Sequence, residues 1–499
     1  MLNRSWVFTL AGRYFYILFS FGVLYHLLTS NAYAQPLSAN EYIVVAQLNL
    51  WYFGTGCYGG FEDYDCEGNS VVSITPLQGL YYSSDPLVIK NQINWAVQYG
   101  VDAFSIEWIS PRGQPGSLEE NMDDHLLIAP EMPKMRWCIF YDFNLRLGWA
   151  GIDIRDGIDF DNTAVADTFY NDFIHFGKKY FKHPQYLYID GRPIIYIWNT
   201  GGFIGDFGKV LRTTRDSLSA LGYDIFVSGD EITKFGFDSE HASMFDAVTT
   251  FTMLIGDTGP FANMDSAAVG VNEVFQEWQE DIKGLKVLDR EENLILQPAW
   301  APQYKDSLFR YHNDMGEGIY IPAESKEQVI HMAEVARSYA KPEGREAEKI
   351  VWLNTYNNWA ETTTIEPTIA SGPKYPAGNY QFDLLEVVEE VFNTETFWDS
   401  TSSLAVDEDL FPFSVILGQN YPNPVNLSTK IDFSVKERIH IELSVYNLMG
   451  IKVIELFNQN MDPGSYTTHL SVDHLTDGIY IYVLKADKFI ETRRFIVQR

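Results

Sequence analysis

The sequence predicts an α/β fold, a (β/α)8 TIM barrel, followed by a small antiparallel β-sandwich C-terminal domain. Its 499 residues are too many for one small domain and fit a barrel with an appendage. From Tyr42 to about Phe392, short strand-like runs alternate with amphipathic helical stretches, as in parallel α/β folds. From Phe413 onwards, apolar and polar residues alternate within short runs, which is typical of antiparallel strands.

Residues 1–34 have the pattern of a secretory signal peptide. Arg4 and Arg13 give a positive start, the apolar run from Tyr14 to Leu28 is short for a membrane span, and Asn31-Ala32-Tyr33-Ala34 is a cleavage site. An uncleaved anchor is the alternative. No later stretch has transmembrane length, so we expect no membrane span in the mature protein. The predicted route is through the periplasm to the cell surface or the medium.

Eight strand-like runs are expected to form the barrel within residues 35–395. They are Tyr42–Asn49, Val101–Glu107, Arg136–Phe143, Pro193–Trp198, Ile225–Gly229, Ala247–Phe251, Asn293–Gln297 and Ile350–Thr355. The helical patterns between and after them are Leu87–Tyr99, Ala164–Phe181, Val210–Leu221, Asn272–Ile282, Lys326–Tyr339 and Leu384–Val391. An open doubly wound sheet is the alternative, but the Gly-x-Gly-x-x-Gly turn expected after its first strand is absent.

The C-terminal part changes character after a predicted linker at residues 396–412, which lies in a region rich in Thr, Ser, Asp and Glu. Residues 413–499 are expected to form the sandwich. Its strand-like runs are Lys430–Val435, His440–Tyr446, Lys452–Phe457, Ser465–Leu470, Gly478–Leu484 and Phe489–Val497.

Charge and cysteine usage exclude several classes of function. The formal net charge of −31 argues against nucleic acid or an anionic membrane as partner, because binding to phosphates requires Lys and Arg. Cys57 and Cys66 lie close together in a Gly-rich loop of an exported chain, and we expect them to form a disulfide. Cys138 lies in an apolar strand pattern and is expected to be a free core thiol. No residue spacing predicts a zinc site, and no cofactor is expected.

The ends of the predicted strands carry the candidate functional residues, since active sites of such barrels lie at the C-terminal ends of the strands. The candidate catalytic carboxylates are Glu107, Asp142, Asp230, Glu231 and Glu361. The candidate substrate-binding residues are Trp51, Tyr52, Trp108, Asn144, Trp198, Trp300, Tyr304, Asn357, Asn358 and Trp359. Indoles for ring faces, amides for hydroxyl groups and paired carboxylates for bond cleavage are typical of a carbohydrate site. Each carboxylate also has an alternative interpretation as a helix cap or an ion-pair partner.

The C-terminal segment resembles the type A sorting domain of the type IX secretion system of Bacteroidota. The resemblance rests on Gln419-Asn420-Tyr421-Pro422-Asn423-Pro424, Val445-Tyr446-Asn447-Leu448-Met449-Gly450, Gly478-Ile479-Tyr480-Ile481-Tyr482 and the basic ending Arg493-Arg494. It implies export across the outer membrane and the secretion machinery as a partner. A carbohydrate-binding module is the alternative.

The segment after the eighth strand resembles the signature of glycoside hydrolase family 99 and of related family 71/99-like enzymes, which include endo-α-mannosidases. Here it reads Tyr356-Asn357-Asn358-Trp359-Ala360-Glu361-Thr362-Thr363-Thr364-Ile365-Glu366, where the family has Phe-Asn-Glu-Trp-x-Glu-Gly-Thr-x-Ile-Glu. The resemblance implies that Glu361 is the general acid/base. The family's first Glu, which helps to deprotonate the sugar 2-hydroxyl, falls on Asn358, and an amide cannot act as a base. Thr362 replaces the usual Gly, which suggests an altered loop.

These observations predict a secreted glycoside hydrolase that acts within an extracellular polysaccharide substrate. The candidate substrates are α-mannan, α-glucan and a fucose-containing glycan. Because Asn358 breaks the family's catalytic pair, the second catalytic group is expected among Asp230, Glu231, Asp142 and Glu107. The alternatives are a glycan-binding protein that has lost catalysis, another barrel chemistry and a polysaccharide-processing transferase. The transferase is disfavoured because no activated sugar donor is present where the chain is exported.

Overall fold

A computed structural model describes the chain outside its N-terminal segment and several loops. The described residues are 42–52, 74–114, 117–154, 157–231, 237–251, 261–307, 318–369, 375, 380–392, 415–417, 420, 425–435, 438–447, 451–486 and 489–498. The predicted signal peptide, the Cys57–Cys66 disulfide and the linker at 396–412 lie outside this part.

Eight parallel strands form the barrel. They are β1 (Ile43–Leu48), β2 (Ala103–Trp108), β3 (Arg136–Tyr141), β4 (Arg192–Ile197), β5 (Phe226–Asp230), β6 (Ala247–Thr249), β7 in two pieces (Ile295–Leu296 and Ala299–Trp300) and β8 (Ile350–Leu353). Each strand pairs with the next from β1 to β7, and β1 also pairs with β8. The predicted fold class is therefore confirmed.

The barrel closes through the divided strand β7. Its first piece, Ile295–Leu296, pairs with β6, and its second piece, Ala299–Trp300, pairs with β8. Pro298 lies between the two pieces and has no N–H, so it cannot continue a regular ladder as a donor. Its carbonyl accepts a bond from the Trp352 N–H at 2.9 Å, which continues the link to β8. The eight strands thus form a closed ring.

Helices surround the ring, and six of those named here correspond to the predicted helical patterns. The described helices are α1 (Pro86–Gln98), α2 (Glu119–Asn121), α3 (Phe143–Trp149), α4 (Thr163–Lys179), α5 (Phe207–Ala220), α6 (Ser239–Ala242), α7 (Met264–Asp281), α8 (Lys326–Tyr339) and α9 (Asp383–Phe392). Helix α1 begins as expected, because the Asp85 carboxylate caps the Leu87 N–H at 2.8 Å and Pro86 occupies the first turn. No described helix has the length and apolarity needed to cross a membrane.

Strand alternation decides which side chains face the barrel axis. Phe140 of β3 stacks on Tyr196 of β4, and Tyr196 contacts Trp352 of β8 on the opposite side of the ring, each with ring centroids 4.8 Å apart. These three residues therefore fill the interior. Because neighbouring residues of a strand point to opposite faces, Tyr141 points outward, where its ring contacts the Phe173 ring of α4.

The C-terminal domain is an antiparallel sandwich with a core of its own. A three-stranded sheet contains β9 (Val415–Leu417), β10 (Ser428–Val435) and β13 (Gly464–Ser471). A four-stranded sheet contains β12 (Lys452–Met461), β11 (Ile439–Asn447), β14 (Gly478–Ala486) and β15 (Phe489–Val497). The hydrophobic core of this domain includes Leu417, Ile431, Leu443, Tyr482 and Phe495.

Several elements differ from the sequence expectation. Strand β9 and the short helices α2, α3 and α6 were not predicted. Helix α7 begins at Met264 rather than Asn272, because Asn263 and Ser266 form a reciprocal cap at its start. Cys138 is buried in β3 and free, as predicted.

Candidate active site

Glu361 lies in the loop after β8 and is held by two side chains. Asn358 Nδ2 donates to Glu361 Oε2 at 2.7 Å, and Tyr304 Oη lies 3.2 Å from Glu361 Oε1. The Glu361 N–H donates in turn to Asn358 Oδ1 at 3.2 Å. The carboxyl group is half-buried. Asn358, where the family has a glutamate, therefore orients Glu361 directly.

Tyr304 joins Glu361 to a second, buried carboxylate. Its hydroxyl lies 3.0 Å from Asp306 Oδ2 as well as 3.2 Å from Glu361 Oε1. Asp306 is held in place by the Ile319 N–H, 2.6 Å from Asp306 Oδ1. One hydroxyl has only one proton to donate. When Tyr304 donates its proton to Asp306, its hydroxyl oxygen can accept a hydrogen bond from a protonated Glu361 Oε1. The geometry therefore accommodates Glu361 in its acid form, in a hydrogen-bonded chain from Glu361 through Tyr304 to Asp306.

The rest of the signature fixes the loop to β1 and α1. Asn357 pairs with the backbone of Asn49, accepting from its N–H at 2.8 Å and donating to its carbonyl at 3.0 Å. Trp359 is fully buried, and its indole N–H lies 3.1 Å from the Tyr81 hydroxyl. Both residues were predicted to bind substrate, but their polar groups are bonded within the protein.

Glu366 is a buried anchor that sequence reasoning did not single out. Its two oxygens accept bonds from Tyr81 and Gln78 at 2.6 and 2.9 Å, and from Gln92 and Trp359 at 3.2 and 3.3 Å. Burial raises its pKa to about 7, against the effect of these donors. The Ile-Glu that ends the signature is the sequence signal for this anchor.

Thr362 takes a backbone conformation that glycine adopts more readily. Its φ is +56°, in the left-handed region. Its hydroxyl donates to the Lys305 carbonyl at 3.1 Å, which ties the loop to the chain beside Tyr304. The altered loop geometry expected from the change of Gly to Thr stays a prediction.

Asp230 and Glu231 at the end of β5 form hydrogen bonds within the protein. Asp230 accepts the Asn199 N–H at 3.0 Å and the Phe251 N–H at 2.8 Å. Burial raises its pKa to about 7, opposed by these two bonds. Glu231 lies on the other face, where Oε1 accepts from Thr200 at 2.7 Å and lies 3.1 Å from His241 Nδ1.

Asp142 and Glu107 are the remaining carboxylates of the candidate set. Asp142 caps α3 by accepting the Leu145 N–H at 2.8 Å, and burial raises its pKa to about 7. Glu107 is paired in register with Phe140 and therefore shares its inward face. Burial, followed by the charges of Asp142 and Glu361, raises the pKa of Glu107 well above its usual range.

The predicted aromatic residues divide into two groups. Trp51 and Trp198 are partly exposed at the strand ends, as is the amide residue Asn144. Tyr52 is buried and donates to the Asn357 carbonyl at 2.6 Å. Two indoles lie away from the mouth, because they are on outward-facing strand positions. Trp108 contacts Phe176 of α4 with centroids 4.7 Å apart, and Trp300 contacts Phe392 of α9.

Unpaired polar atoms line the interior at the C-terminal half of the barrel. Within the described part of the chain, they are Gln47 Oε1, Asn49 Nδ2, Glu107 Oε2, Tyr196 Oη, Trp198 Nε1 and Thr249 Oγ1. Buried polar atoms are normally hydrogen-bonded, so such a set indicates a place where ligand or water supplies the partners. Two of these six residues, Glu107 and Trp198, were predicted from the sequence.

Most described cations near the strand ends are paired with acids of the protein. Lys305, beside Tyr304, instead lies with its Nζ 5.2 Å from the centre of the Tyr320 ring. Arg146 bonds Asp172 at 2.8 Å, and Lys179 bonds Glu119 at 2.9 Å. Arg192 lies at the opposite end of the barrel, where it bonds Asp246 at 2.6 Å. Among the described residues, no three His, Cys, Asp or Glu side chains converge as metal ligands.

Two family models match the chain. Residues 73–377, more than half of the chain, match the model described as Glycosyltransferase WbsX. The chain belongs to this family. Residues 419–498 match the model of a secretion system C-terminal sorting domain, in agreement with the resemblance to type IX sorting domains. The WbsX match contains β2 to β8 and the Glu361 loop. The sorting domain indicates export to the cell surface or beyond.

Solved structures share the barrel at low sequence identity. One, titled a glycoside hydrolase-like protein, is 17% identical with a TM-score of 0.51, over 72% of this chain and 95% of the other. A family 99 endo-α-mannosidase from Bacteroides thetaiotaomicron is 16% identical with a TM-score of 0.49, over 72% and 99% of the two chains. The first likeness confirms the glycoside hydrolase-like fold. No curated protein matches this chain.

Proposed function

We propose that this WbsX family member is an exported glycoside hydrolase that cleaves α-glycosidic bonds within a polysaccharide, with Glu361 as the general acid/base. The observation that carries the proposal is the hydrogen-bonded chain from Glu361 through Tyr304 to Asp306. Asn358 Nδ2 donates to Glu361 Oε2 at 2.7 Å, so Oε2 acts as an acceptor and Oε1 carries the proton when Glu361 is protonated. A fixed carboxylic acid at a barrel mouth can protonate a leaving glycosidic oxygen.

The lining of the barrel supports a sugar as the ligand. Hydroxyl, indole and amide groups line the barrel, and each of Tyr196, Trp198, Thr249, Gln47 and Asn49 has one buried side-chain polar atom with no partner among the described residues. Sugar hydroxyl groups both donate and accept, so they complement a mixed set of this kind. Of the cations described near the site, Arg146 and Lys179 are paired with acids and Lys305 lies over the Tyr320 ring, which disfavours a heavily sulfated substrate. The substrates proposed are α-mannan, α-glucan or a fucose-containing glycan.

A transferase, which the family description names, is the second candidate. The sorting domain disfavours it, because export takes the chain away from activated sugar donors. Hydrolysis needs only water as the second substrate. A transferase would bind a sugar nucleotide or another activated donor, and wild-type protein that transfers sugar from such a donor to an acceptor would contradict hydrolysis.

The test is a polysaccharide screen with the wild-type protein and Glu361→Gln. We expect the wild type to release oligosaccharides of several sizes from one α-linked polymer, since internal cleavage gives mixed products. The Glu361→Gln variant should lose about 100-fold or more in kcat while it still binds the polymer, because the amide keeps the shape but cannot give up a proton. Full activity of Glu361→Gln would overturn its role.

A glycan-binding protein without catalysis is favoured by one observation, the amide at Asn358. The same screen separates it from an enzyme. Binding of a polysaccharide by the wild type with no product, even on long incubation, would support this alternative. Exposed Glu292→Gln, near Arg192 and thus at the other end of the barrel, is the control and should behave as the wild type.

A further inference from the structure

Among the candidate carboxylates at the strand ends, Glu107 has a buried oxygen without a protein partner. Its Oε2 is buried and has no hydrogen-bond partner among the described residues. Each of the two Asp230 oxygens accepts a hydrogen bond from a backbone N–H, and Asp142 accepts one from the Leu145 N–H at the start of α3. Glu231 is bonded to Thr200 and His241 on the outward side.

The position of Glu107 is suited to chemistry beside Glu361. It pairs in register with Phe140, whose ring contacts Tyr196 inside the barrel, while the adjacent Trp108 packs outward on α4. Glu107 therefore points toward the axis. Glu107 lies at the end of β2 and Glu361 in the loop after β8, and only β1 separates these two strands, so both residues lie at the C-terminal end of the barrel.

A buried carboxylate with an unpaired oxygen is costly, because burial disfavours the charged form and no donor compensates for it at Oε2. Replacing such a group by a neutral residue usually stabilises a protein unless the group has a function. Glu107 lies in a site that has a second carboxyl group in Glu361. Its raised pKa also makes it a stronger base than an exposed carboxylate once it is ionised.

We infer that Glu107 is the second catalytic carboxylate, the base that accepts the proton of the attacking hydroxyl. This rests on the proposed hydrolase function. The oxygen of a water molecule forms a bond to the anomeric carbon, and its proton passes to Glu107 Oε2. The bond from the anomeric carbon to the glycosidic oxygen breaks, its electron pair stays on that oxygen, and the oxygen takes the proton of Glu361. Solvent then returns a proton to Glu361 and removes one from Glu107.

The experiment compares Glu107→Gln with Glu361→Gln on two substrates. The first is the polysaccharide that the wild type cleaves, and the second is an aryl glycoside of the same sugar with an acidic phenol as leaving group. An acidic phenol leaves as its anion without a proton from the enzyme, so this substrate restores activity to a variant that lacks the general acid. It does not restore activity to a variant that lacks the base. We expect kcat of Glu107→Gln to fall about 100-fold or more on both substrates, with KM within about threefold. Glu361→Gln should recover most of its activity on the aryl glycoside.

A stability measurement separates catalysis from a structural role. Glu107→Gln removes a buried charge, so its melting temperature should stay equal to or rise above that of the wild type. If it does not fold, Glu107→Asp should fold and retain at least one tenth of the wild-type kcat, because it keeps a base.

Three outcomes would overturn the role of Glu107. The first is a kcat of Glu107→Gln within tenfold of the wild type on the polysaccharide. The second is a return of Glu107→Gln to near wild-type kcat on the aryl glycoside. The third is that Glu107→Gln and Glu107→Asp lose folding and activity together. A wild type that cleaves no polysaccharide would instead refute the hydrolase function.

Discussion

Asn358 shows how one substitution changes the chemistry of a site while keeping its geometry. An amide at this position donates to Glu361 Oε2 at 2.7 Å and accepts from the Glu361 N–H at 3.2 Å. A glutamate there would place a second negative charge beside Glu361. With the amide, Glu361 keeps an oriented carboxyl group but loses the adjacent base that the family resemblance implies. The base must then come from another strand, and Glu107 of β2 can supply it.

Asn358→Asp should shift the pH profile of the enzyme. The substitution replaces the donor nitrogen by a carboxylate oxygen next to Glu361 Oε2, and a like charge at that distance raises the pKa of Glu361. Glu361 then keeps its proton to higher pH, so the alkaline limb of kcat/KM should move up by about one unit or more. Rate measurements between pH 5 and pH 9 on the cleaved polysaccharide check this. An unshifted alkaline limb would show that Glu361 is not the acid that controls it.

Individual site residues were only partly predictable from the sequence. The strand ends correctly located Glu361, Asn358 and Tyr304 in one cluster. Trp108 was placed at the mouth together with Glu107, although adjacent strand residues must face opposite sides. Glu366 ends the signature, but its role as an anchor was not predicted, because that role depends on Tyr81 and other partners distant in sequence. The signature marks the residue and does not reveal these long-range hydrogen bonds.

At the scale of elements, Asp230 connects three loops of the barrel mouth. It ends β5, and its oxygens hold the N–H of Asn199 after β4 and the N–H of Phe251 after β6. An aspartate can satisfy both donors because each oxygen accepts one bond. The carboxylate therefore fixes the positions of neighbouring loops around Trp198, rather than serving as a reactive group.

The pH dependence of the free energy of unfolding should reveal the buried carboxyl group of Asp230. The pKa of Asp230 is about 7 in the folded protein, above its ordinary value near 3.8. Between those values the folded state holds a proton that the unfolded state has lost, so this contribution to stability falls as pH rises from about 4 to 7. Asp230→Asn should remove this slope and lower the unfolding free energy at pH 5 by about 1–3 kcal/mol, because the amide has one acceptor for two N–H groups.

Chemical denaturation of both proteins at pH 5 and pH 8 measures the effect. Glu277→Gln, at an exposed position of helix α7, is the control and should keep the wild-type slope. An unchanged slope in Asp230→Asn would assign the pH dependence to other groups.

Element boundaries were predictable where the caps follow simple rules. The Asp85-Pro86 start of α1 and all eight strands were found within a few residues. The start of α7 was missed by eight residues, because Ser266 rather than Glu completes its cap and Gly270 interrupts the helical pattern. Gly270 is needed there, since a Cβ would lie 2.5 Å from the Phe261 ring. A tertiary contact thus overrides local propensity.

At the scale of the whole molecule, the barrel and the sandwich have separate hydrophobic cores. The barrel core runs from Ile43 to Phe392, and the sandwich core from Leu417 to Val497, with no shared member among the described residues. Each core closes on itself, as expected for domains that fold independently. The catalytic candidates all lie in the first unit, and the export signal lies in the second.

Removal of residues 413–499 should therefore separate activity from export. The shortened protein should keep the melting temperature of the barrel within about 2 °C, because no barrel core contact is lost. Its kcat and KM on the cleaved polysaccharide should match those of the full chain. In a host with type IX secretion it should be retained inside the cell envelope, whereas the full chain reaches the exterior. Calorimetry, kinetics and cell fractionation test the three parts. A lower barrel melting temperature would mean that the sandwich supports the barrel, and external delivery without residues 413–499 would mean that the export signal lies elsewhere.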